Sequence, residues 1–249
     1  RLMKDAADNV LRTSMELGGN APLIVFEDAD LDAAVEGAFA AKMRNMGEAC
    51  TAANRFFVHE SVATEFSEKF AAKMDAMTVG NGMDDGVTVG PLITAKAVAG
   101  VQELRDDATS RGAKVVTGGK PAEGKGHFFT PTVLTDVPGD ARMTAEEIFG
   151  PVLAVTTFKD YADAIHIAND TLYGLGAGVW SRNGNVAYRM GRAIKAGRVW
   201  TNCYHAYPAH AAFGGYKESG IGRETHKMML DHYQQTKNLL VSYDINPLG

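Results

Sequence analysis

Cys50 is one of two cysteines in the 249-residue chain, and it follows a short loop that contains Gly47. We predict that a helix begins near Thr51. Backbone N–H groups and the helix dipole at such a point lower the pKa of a thiol from about 8.5 and favour the nucleophilic thiolate. A lone cysteine is more often a buried, inert side chain, so this segment by itself does not identify an active site.

Glu16 stands at the end of a predicted extended link, residues 12–16, and two glycines follow at positions 18 and 19. Glycines at this point allow a ligand or another backbone segment to approach the carboxylate closely. A carboxylate held in this way can act as a general base, which accelerates proton transfer by about 10²–10⁴-fold. The alternative is a capping or solvated glutamate.

Two further segments combine glycines with groups that bind ligands. In residues 146–151 a Gly-Pro turn could direct Glu147 at a ligand hydroxyl and Phe149 at a ring; the alternative is an ordinary helix end followed by a turn. Residues 213–224 form a glycine-rich loop, which is not a Rossmann fingerprint because the strand and spacing of that motif are absent around it. The alternative for this second segment is a flexible surface loop.

An aromatic segment surrounds Pro208 and predicts the wall of a pocket. Tyr204, His205, Tyr207 and His210 flank this proline. The spacing of the seven histidines does not match that of metal ligands, so we expect no metal site.

Strands and helices are predicted to alternate, which indicates a doubly wound α/β domain with a mostly parallel sheet and helices on both faces. The apolar run at 22–26 predicts a buried parallel strand, and Asp28 and Asp30 suit the start of the next helix. The predicted strands lie at 22–26, 56–58, 114–116, 152–158, 176–180, 198–201 and 237–243, and the predicted helices at 1–11, 28–43, 65–77, 95–111, 160–169, 184–195 and 224–233.

The composition limits the classes of partner. With 45% hydrophobic and 22% charged residues the chain is an ordinary soluble globular sequence, and its net charge of −5 favours neither nucleic acid nor an anionic membrane. No run of about 18 apolar residues predicts a membrane span. Two cysteines form no disulfide framework, so we expect a reducing, cytoplasmic location. The chain opens within a predicted helix and without an initiator methionine, and we expect it to be a piece of a longer protein.

The segments around Glu16, Cys50, Glu147 and Phe213, in this order, resemble the motifs of the catalytic half of the aldehyde dehydrogenase superfamily. In that family the motif ELGG carries the general-base glutamate and the nucleophilic cysteine follows 34 residues later, which is also the separation of Glu16 and Cys50. The segments EEIFGPV and FGGYK with GRE follow in the family's order. The match extends over essentially the whole chain, and it is specific because all four motifs agree.

The resemblance implies NAD- or NADP-dependent oxidation of an aldehyde to a carboxylic acid. Cys50 would add to the aldehyde carbon to form a thiohemiacetal, hydride transfer to nicotinamide would leave a thioester, and Glu16 would activate the water that hydrolyses it. The Cys50 N–H would stabilise the oxyanion, and Glu224 would form a proton relay with Glu16. The resemblance further assigns Glu147, Phe149, Leu17 and Gly18 to the cofactor, and Ala49, Thr51, Tyr204, His205, Tyr207 and Phe213 to the substrate pocket.

The resemblance also predicts how the chain is organised. Residues 1–17 would be the last helix and link of a dinucleotide-binding domain that precedes this sequence, residues 18–235 the catalytic domain, and residues 236–249 an oligomerisation strand and tail. The apolar strand 237–243 would pair with another subunit through an exposed edge and give a homo-oligomer. The resemblance places the residues that bind the adenosine and pyrophosphate of the dinucleotide in the preceding part, together with the family's second oxyanion donor, an asparagine. We therefore expect the chain alone to lack dehydrogenase activity, because it cannot hold the hydride acceptor.

Two branches of the family resemble different parts of the chain. Residues 1 to about 170 resemble succinate-semialdehyde dehydrogenases, and residues from about 198 resemble short-chain, acetaldehyde-type enzymes. The chain is thus either a natural mosaic or two joined fragments. Residues 204–212 contain no arginine that could bind a substrate carboxylate, which favours a small uncharged aldehyde.

Two other functions are compatible with these residues. Cys50 and Glu16 suffice in principle for a cofactor-independent cysteine esterase, because they can form and hydrolyse a thioester. A catalytically silent binding or structural domain is the third interpretation. We expect Cys50 rather than Cys203 to be the reactive thiol, because Cys50 follows a glycine loop at a predicted helix start.

Overall fold

A computed structural model of the chain describes residues 1–243 and 245–246, so residues 244 and 247–249 of the predicted tail lie outside the described residues. In the described part the strands are β1 (Met15–Glu16), β2 (Ala21–Val25), β3 (Ala53–His59), β4 (Lys114–Thr117), β5 (Thr132–Thr135), β6 (Val152–Phe158), β7 (Gly176–Trp180), β8 (Arg198–Thr201) and β9 (Gly220–Ile221). The α-helices are α1 (Leu2–Ala7), α2 (Leu31–Met43), α3 (Ala63–Asp75), α4 (Ala95–Ser110), α5 (Arg142–Ala145), α6 (Tyr161–Asn169) and α7 (Gly184–Ala193). Short 3₁₀ helices span Arg44–Gly47, Lys217–Ser219 and Lys227–His232.

A seven-stranded sheet in the order β4-β5-β6-β3-β2-β7-β8 forms the centre of the described chain. Its neighbouring strands are parallel, except for the antiparallel pair β4 and β5 at one edge. Every residue of β2 and β7 is buried. Strands that are covered on both faces are apolar throughout, which is why the sequence shows a continuous apolar run at β2.

Helices cover both faces of this sheet. Successive residues of a strand point to opposite faces, so Phe56 of β3 packs with α2 and α3 while Phe57 packs with α6 and α7. Asp30 begins α2 as predicted, because its side chain accepts a hydrogen bond from the Ala33 N–H at 3.1 Å. The predicted fold class, a doubly wound and mostly parallel α/β domain, is confirmed.

The two ends of the chain differ from the sequence prediction. Helix α1 ends at Ala7 and buries none of its residues, so it lacks the packing that would extend a helix to residue 11. The predicted helix 224–233 is wrong. Glu224 lies in an extended bridge with Phe213, and the next two residues, Thr225 and His226, have φ of 54° and 52°. Left-handed backbone ends a right-handed helix, and only the 3₁₀ segment that follows is helical.

Residues 237–243 form no strand in the described structure. Leu239 and Leu240 are each 79% exposed. A strand needs a partner backbone for its N–H and C=O groups, and no described strand pairs with this segment. The predicted oligomerisation strand is therefore not formed within the chain itself, and the boundaries 1–17, 18–235 and 236–249 stay predictions. No helix among the described residues combines the length and the apolar character needed to cross a membrane.

Candidate active site

Three of the predicted motifs stand just before three adjacent strands of the sheet. Gly18 and Gly19 precede β2, Cys50 precedes β3, and Glu147 precedes β6. Because β6, β3 and β2 are parallel neighbours, their amino-terminal ends lie side by side at the same end of the sheet. Residues far apart in sequence therefore touch there: the Gly19 N–H donates a hydrogen bond to Glu147 Oε1 at 3.0 Å.

Cys50 lies in a turn between a 3₁₀ helix and β3, and its side chain is exposed. The predicted helix start at Thr51 is wrong. Parallel pairing with β2, in which Ala21 lies opposite Ala53, draws this segment into a strand instead. The thiol therefore has no helix N-terminus beside it.

The backbone before Cys50 is unusual. Asn45, Met46 and Gly47 have φ of 49°, 57° and 80°, and only glycine adopts such values without strain. A Cβ on Gly47 would come within 2.4 Å of the Gly150 carbonyl oxygen. The loop that presents the thiol thus depends on close contact with the loop that follows Glu147.

The thiol of Cys50 is not activated by its immediate surroundings. Although the side chain reaches solvent, its partial burial raises the pKa of the thiol. The negative charges of Glu16 and Glu147 raise this pKa further, against the smaller effect of the backbone N–H groups of Cys50 and Thr51. The predicted lowering of the pKa by a helix start is therefore wrong. Forming the thiolate here requires a proton acceptor.

Glu16 is held by a short two-stranded ribbon. Strands β1 and β9 pair antiparallel, with Glu16 opposite Gly220. The fully buried Ser219 donates a hydrogen bond from Oγ to the Gly18 carbonyl at 2.7 Å, and its own carbonyl accepts one from the Leu17 N–H at 3.1 Å. The glycine-rich loop near the end of the chain therefore positions the predicted base.

Glu16 and Glu224 share one electrostatic environment. The Glu16 side chain reaches solvent, and its partial burial is the largest effect that raises its pKa; the charge of Glu224 raises this pKa further, and Arg223 lowers it. The bridge between Glu224 and Phe213 fixes the backbone of Glu224, whose carbonyl accepts a hydrogen bond from the Phe213 N–H at 2.9 Å. A carboxylate with a raised pKa is a better proton acceptor near neutral pH.

The four predicted cofactor residues form a partly exposed edge. Gly18 lies so close to Glu147 that a Cβ on this glycine would come within 2.3 Å of a carboxylate oxygen. The side chains of Leu17 and Phe149 are 48% and 42% exposed. Among the described residues, no group of three or more His, Cys, Asp or Glu is placed to hold a metal ion.

A pocket of about 390 Å³ opens beside Cys50. Five of the six predicted pocket residues line it, and the exception is Tyr204. The Tyr204 hydroxyl donates to the Thr51 carbonyl at 2.9 Å, and its ring lies 4.3 Å from that of Trp200, so this residue supports the wall from behind. The lining residues are Arg44, Asn45, Glu48, Ala49, Cys50, Thr51, His205, Tyr207 and Phe213.

A short chain of polar groups crosses the pocket wall. The Tyr207 hydroxyl lies 3.0 Å from Thr51 Oγ1 and 3.1 Å from His205 Nδ1. Burial lowers the pKa of His205, and the charge of Arg44 lowers it further. These directions favour a neutral imidazole, so the cationic group in this wall is the guanidinium of Arg44.

Sequence reasoning missed Arg44. Its guanidinium lies 5.8 Å from the centre of the Tyr207 ring, and none of the described carboxylates lies within 4.0 Å of it. The sequence feature that could have identified Arg44 is its position, six residues before Cys50 on the same loop. The sequence interpretation considered only residues 204–212, which supply His205 and Tyr207 to the same pocket.

The aldehyde dehydrogenase family model matches residues 1–239. The chain is similar to Aldehyde dehydrogenase B of Escherichia coli (strain K12), with 52% identity over 260 residues that cover 100% of this chain and 50% of that protein. It is 55% identical over 237 residues to a succinate-semialdehyde dehydrogenase of Paenarthrobacter nicotinovorans, covering 95% of this chain and 53% of that protein. The solved NAD⁺ complex of an aldehyde dehydrogenase from Bacillus cereus superposes with a TM-score of 0.94 at 39% identity, covering 98% of this chain and 50% of that chain. The chain thus spans about half the length of these relatives.

Proposed function

Because the chain belongs to the aldehyde dehydrogenase family, we propose that it carries the residues that oxidise an aldehyde to a carboxylic acid. The observation that supports this function is the meeting of Cys50, Glu16 and Glu147 beside a pocket large enough for a small substrate. When bound, a nicotinamide dinucleotide, either NAD or NADP, serves as the hydride acceptor. The similarity to a solved NAD⁺ complex supports this cofactor class.

The edge formed by Leu17, Gly18, Glu147 and Phe149 fits the nicotinamide end of such a dinucleotide. The carboxylate of Glu147 can accept a hydrogen bond from a ribose hydroxyl, and the exposed ring of Phe149 can pack against another ring. A side chain at Gly18 would meet the carboxylate of Glu147, so this position requires glycine. These contacts are with one end of the cofactor only.

In the proposed reaction Glu16 accepts the proton of the Cys50 thiol and releases it to solvent. The sulfur attacks the aldehyde carbon, and the π electrons of the carbonyl move to its oxygen. The Cys50 backbone N–H donates to this oxyanion; a donor of this kind contributes about 10²–10³-fold to the rate. A thioester remains on Cys50 once the hydride of that carbon has been accepted. Glu16 then takes a proton from water, the water oxygen attacks the thioester carbon, the C–S bond breaks, and the acid and the thiolate are released.

The two cysteines provide a matched test of this function. Cys50→Ala should abolish aldehyde-dependent NADH or NADPH formation by the full-length protein, because the covalent step is lost, whereas Cys203→Ala should leave the rate within about twofold. Iodoacetamide labelling with peptide mapping should find Cys50 as the more reactive thiol. Preferential labelling of Cys203 would overturn the assignment of the nucleophile.

Ester turnover separates the dehydrogenase from the two alternatives. Hydrolysis of p-nitrophenyl acetate needs Cys50 and Glu16 but no hydride acceptor, so the chain itself should show slow ester turnover that NAD does not change. Ester turnover without any aldehyde oxidation by the full-length protein would indicate a cysteine esterase. Absence of both activities would indicate a silent domain.

The substrate class follows from the charge of the pocket. The expectation of an uncharged aldehyde rested on residues 204–212 alone, and Arg44 adds a guanidinium to the same pocket, without a described carboxylate partner within 4.0 Å. A guanidinium of this kind binds a carboxylate strongly. We therefore favour an aldehyde with a carboxylate at its far end, such as succinate semialdehyde, over a small uncharged one.

Arg44→Met tests this choice. It should lower kcat/KM for succinate semialdehyde by about 10- to 100-fold, because a charge-assisted hydrogen bond is lost, and should change kcat/KM for acetaldehyde by less than about threefold. Arg192→Met, at an exposed position on α7, is the control. Equal losses for both aldehydes would show that Arg44 shapes the loop and does not select the substrate.

Self-association is a further part of the proposed function. The exposed side chains of Leu239, Leu240 and Val241 form an apolar segment that a second subunit could cover by strand pairing. Sedimentation should show a dimer or larger species that Leu240→Lys weakens. A monomer at micromolar concentration would contradict this.

A further inference from the structure

Lys42 is a charged side chain that the proposed mechanism does not use, and it is completely buried. It lies in the last turn of α2, and its Nζ donates a hydrogen bond to Asn54 Oδ1 on β3 at 2.6 Å. Lysine is almost never fully buried unless its charge is compensated. Among the described residues, no carboxylate lies within 4.0 Å of this ammonium group.

The ammonium group lies where the loop of Cys50 meets the loop of Glu147. A Cβ on Gly47 would be 2.9 Å from Lys42 Nζ and 2.4 Å from the Gly150 carbonyl oxygen. Gly47 is three residues before Cys50, and Gly150 is three residues after Glu147. One buried cation therefore borders both of the loops that carry the proposed chemistry.

Both loops contain non-glycine residues in left-handed backbone. Asn45 and Met46 precede Cys50 with φ of 49° and 57°, and Phe149 follows Glu147 with φ of 50°. Conformations of this kind persist only where the surrounding structure holds them. The two loops touch at Gly47, beside Lys42, and this contact can hold the left-handed residues of both loops in place.

Glu147 is the titratable group, among the described residues, whose charge acts on Lys42. Burial lowers the pKa of Lys42 to about 7, and the charge of Glu147 opposes this. Burial raises the pKa of Glu147, and the Gly19 N–H and the charge of Lys42 oppose that in turn. Each group thus favours the charged form of the other. Glu147 also acts on Cys50 and Tyr173, whose pKa values its negative charge raises.

We propose that Lys42 is a positioning residue that keeps Glu147 ionised and holds the loop of Glu147 against the loop of Cys50. Its hydrogen bond to Asn54 attaches the positive charge to β3, and its nearness to Gly47 places that charge at the junction of the two loops. The benefit to cofactor binding rests on the proposed function of Glu147. The ionisation of Glu147 does not, and it can be measured without any activity.

The direct test is a titration of the Glu147 carboxyl carbon by ¹³C NMR in the full chain, with Glu147→Gln to assign the resonance. Lys42→Met keeps a side chain of similar length and removes the charge, so it should shift the pKa of Glu147 upwards. Lys73→Met is the matched control, because Lys73 lies on α3 with its Nζ paired to Glu36, and it should leave this pKa unchanged. An unchanged Glu147 pKa in folded Lys42→Met would overturn the proposal.

If Lys42→Met does not fold, the same titration of Glu147 in the wild-type chain still tests the proposal. As Lys42 loses its proton, near the pKa of about 7, the Glu147 resonance should show a second inflection besides its own titration. A single inflection between pH 3 and 10 would overturn the proposal.

Kinetics of the full-length protein then separate this proposal from the proposed function. Lys42→Met should raise KM for the dinucleotide about tenfold while kcat for ester turnover changes by less than about threefold. Absence of dehydrogenase activity in the wild type would refute the proposed function and leave the NMR result intact. Equal losses in ester turnover and cofactor KM would show general damage to the loops and would overturn the positioning role.

Discussion

The predicted nucleophile and the predicted base are held in place by very different means. The loop of Cys50 lies between α2 and β3, and it is flanked by the fully buried residues Lys42 and Ala53. Glu16 lies on β1, a strand of two residues whose partner β9 is equally short. One buried serine, Ser219, connects that ribbon to the neighbouring structure: its Oγ donates to the Gly18 carbonyl and accepts from the Gly174 N–H.

Because of this difference, we expect substitutions in the two regions to have different effects on stability and on chemistry. The loop that carries the exposed thiol is anchored at both ends by buried residues, so a change in this loop alters folding and chemistry together. The position of the base depends on a few hydrogen bonds from a segment about 200 residues later in the chain. A change at Glu16 should therefore alter the chemistry and leave the free energy of unfolding nearly unchanged.

The largest effect that tests this comparison is expected for Glu16→Gln. Loss of the base should slow deacylation by about 10²–10⁴-fold, so that the acyl-enzyme accumulates after a burst of p-nitrophenol. The free energy of unfolding should change by less than about 0.5 kcal/mol, because the side chain is exposed. Stopped-flow absorbance, intact-mass measurement of the acyl adduct and urea titration provide the three measurements.

Glu218→Gln is the control for that experiment, since Glu218 lies on the glycine-rich loop that pairs with β1 and is also exposed. It should leave deacylation unchanged. A loss of stability above about 1 kcal/mol in Glu16→Gln would show that the ribbon is as much a part of the fold as the loop of Cys50.

The same contrast explains how far the sequence could predict the molecule. Strands β6, β7 and β8 were predicted at their observed positions. The mostly buried strands β6 and β7 appear in the sequence as apolar runs because both of their faces are covered. The four residues of β5 were missed: a run this short, between a loop and a turn, has little periodicity of its own. Its pairing with β4 and β6 is set by the sheet.

For the candidate site, the sequence pointed to the main residues but not to the local backbone or the direction of the Cys50 pKa shift. Motif order singled out Cys50, Glu16 and Glu147 as candidates, and in the structure the charges of Glu16 and Glu147 both act on Cys50. The segment after Cys50 has a helix-like composition, yet pairing of β2 with β3 overrides that preference. Burial and the neighbouring carboxylates then give a pKa shift opposite to the one predicted. Such shifts arise from residues distant in sequence, and local patterns contain no signal for them.

Gly47→Ala should produce an intermediate effect and sharpen the comparison from the side of the nucleophile. A Cβ at φ of 80° and within 2.4 Å of the Gly150 carbonyl should lower the free energy of unfolding by about 1–3 kcal/mol. The displaced loop should also slow ester turnover by about 10- to 100-fold. Urea titration and steady-state kinetics measure the two effects.

Gly100→Ala provides the matched control for that substitution. Gly100 lies within α4, and nothing is within 4 Å of an added Cβ, so alanine should raise the free energy of unfolding by about 0.5–1 kcal/mol and leave turnover unchanged. If Gly47→Ala proved as harmless as Gly100→Ala, the loop of Cys50 would not depend on its contact with Gly150.

The smallest effect is expected for Glu224→Gln, and it concerns the pH at which the base works. Glu16 acts as a carboxylate, so turnover falls as the pH drops through the pKa of Glu16. Burial and the charge of Glu224 raise that pKa, and the loss therefore occurs at a higher pH than for an ordinary glutamate. Removing the charge of Glu224 should lower the pKa and move the acid limb of the deacylation profile to lower pH, whereas Glu218→Gln should not move it. A lower plateau rate with an unmoved acid limb would instead indicate that Glu224 passes protons to Glu16 and does not set its pKa.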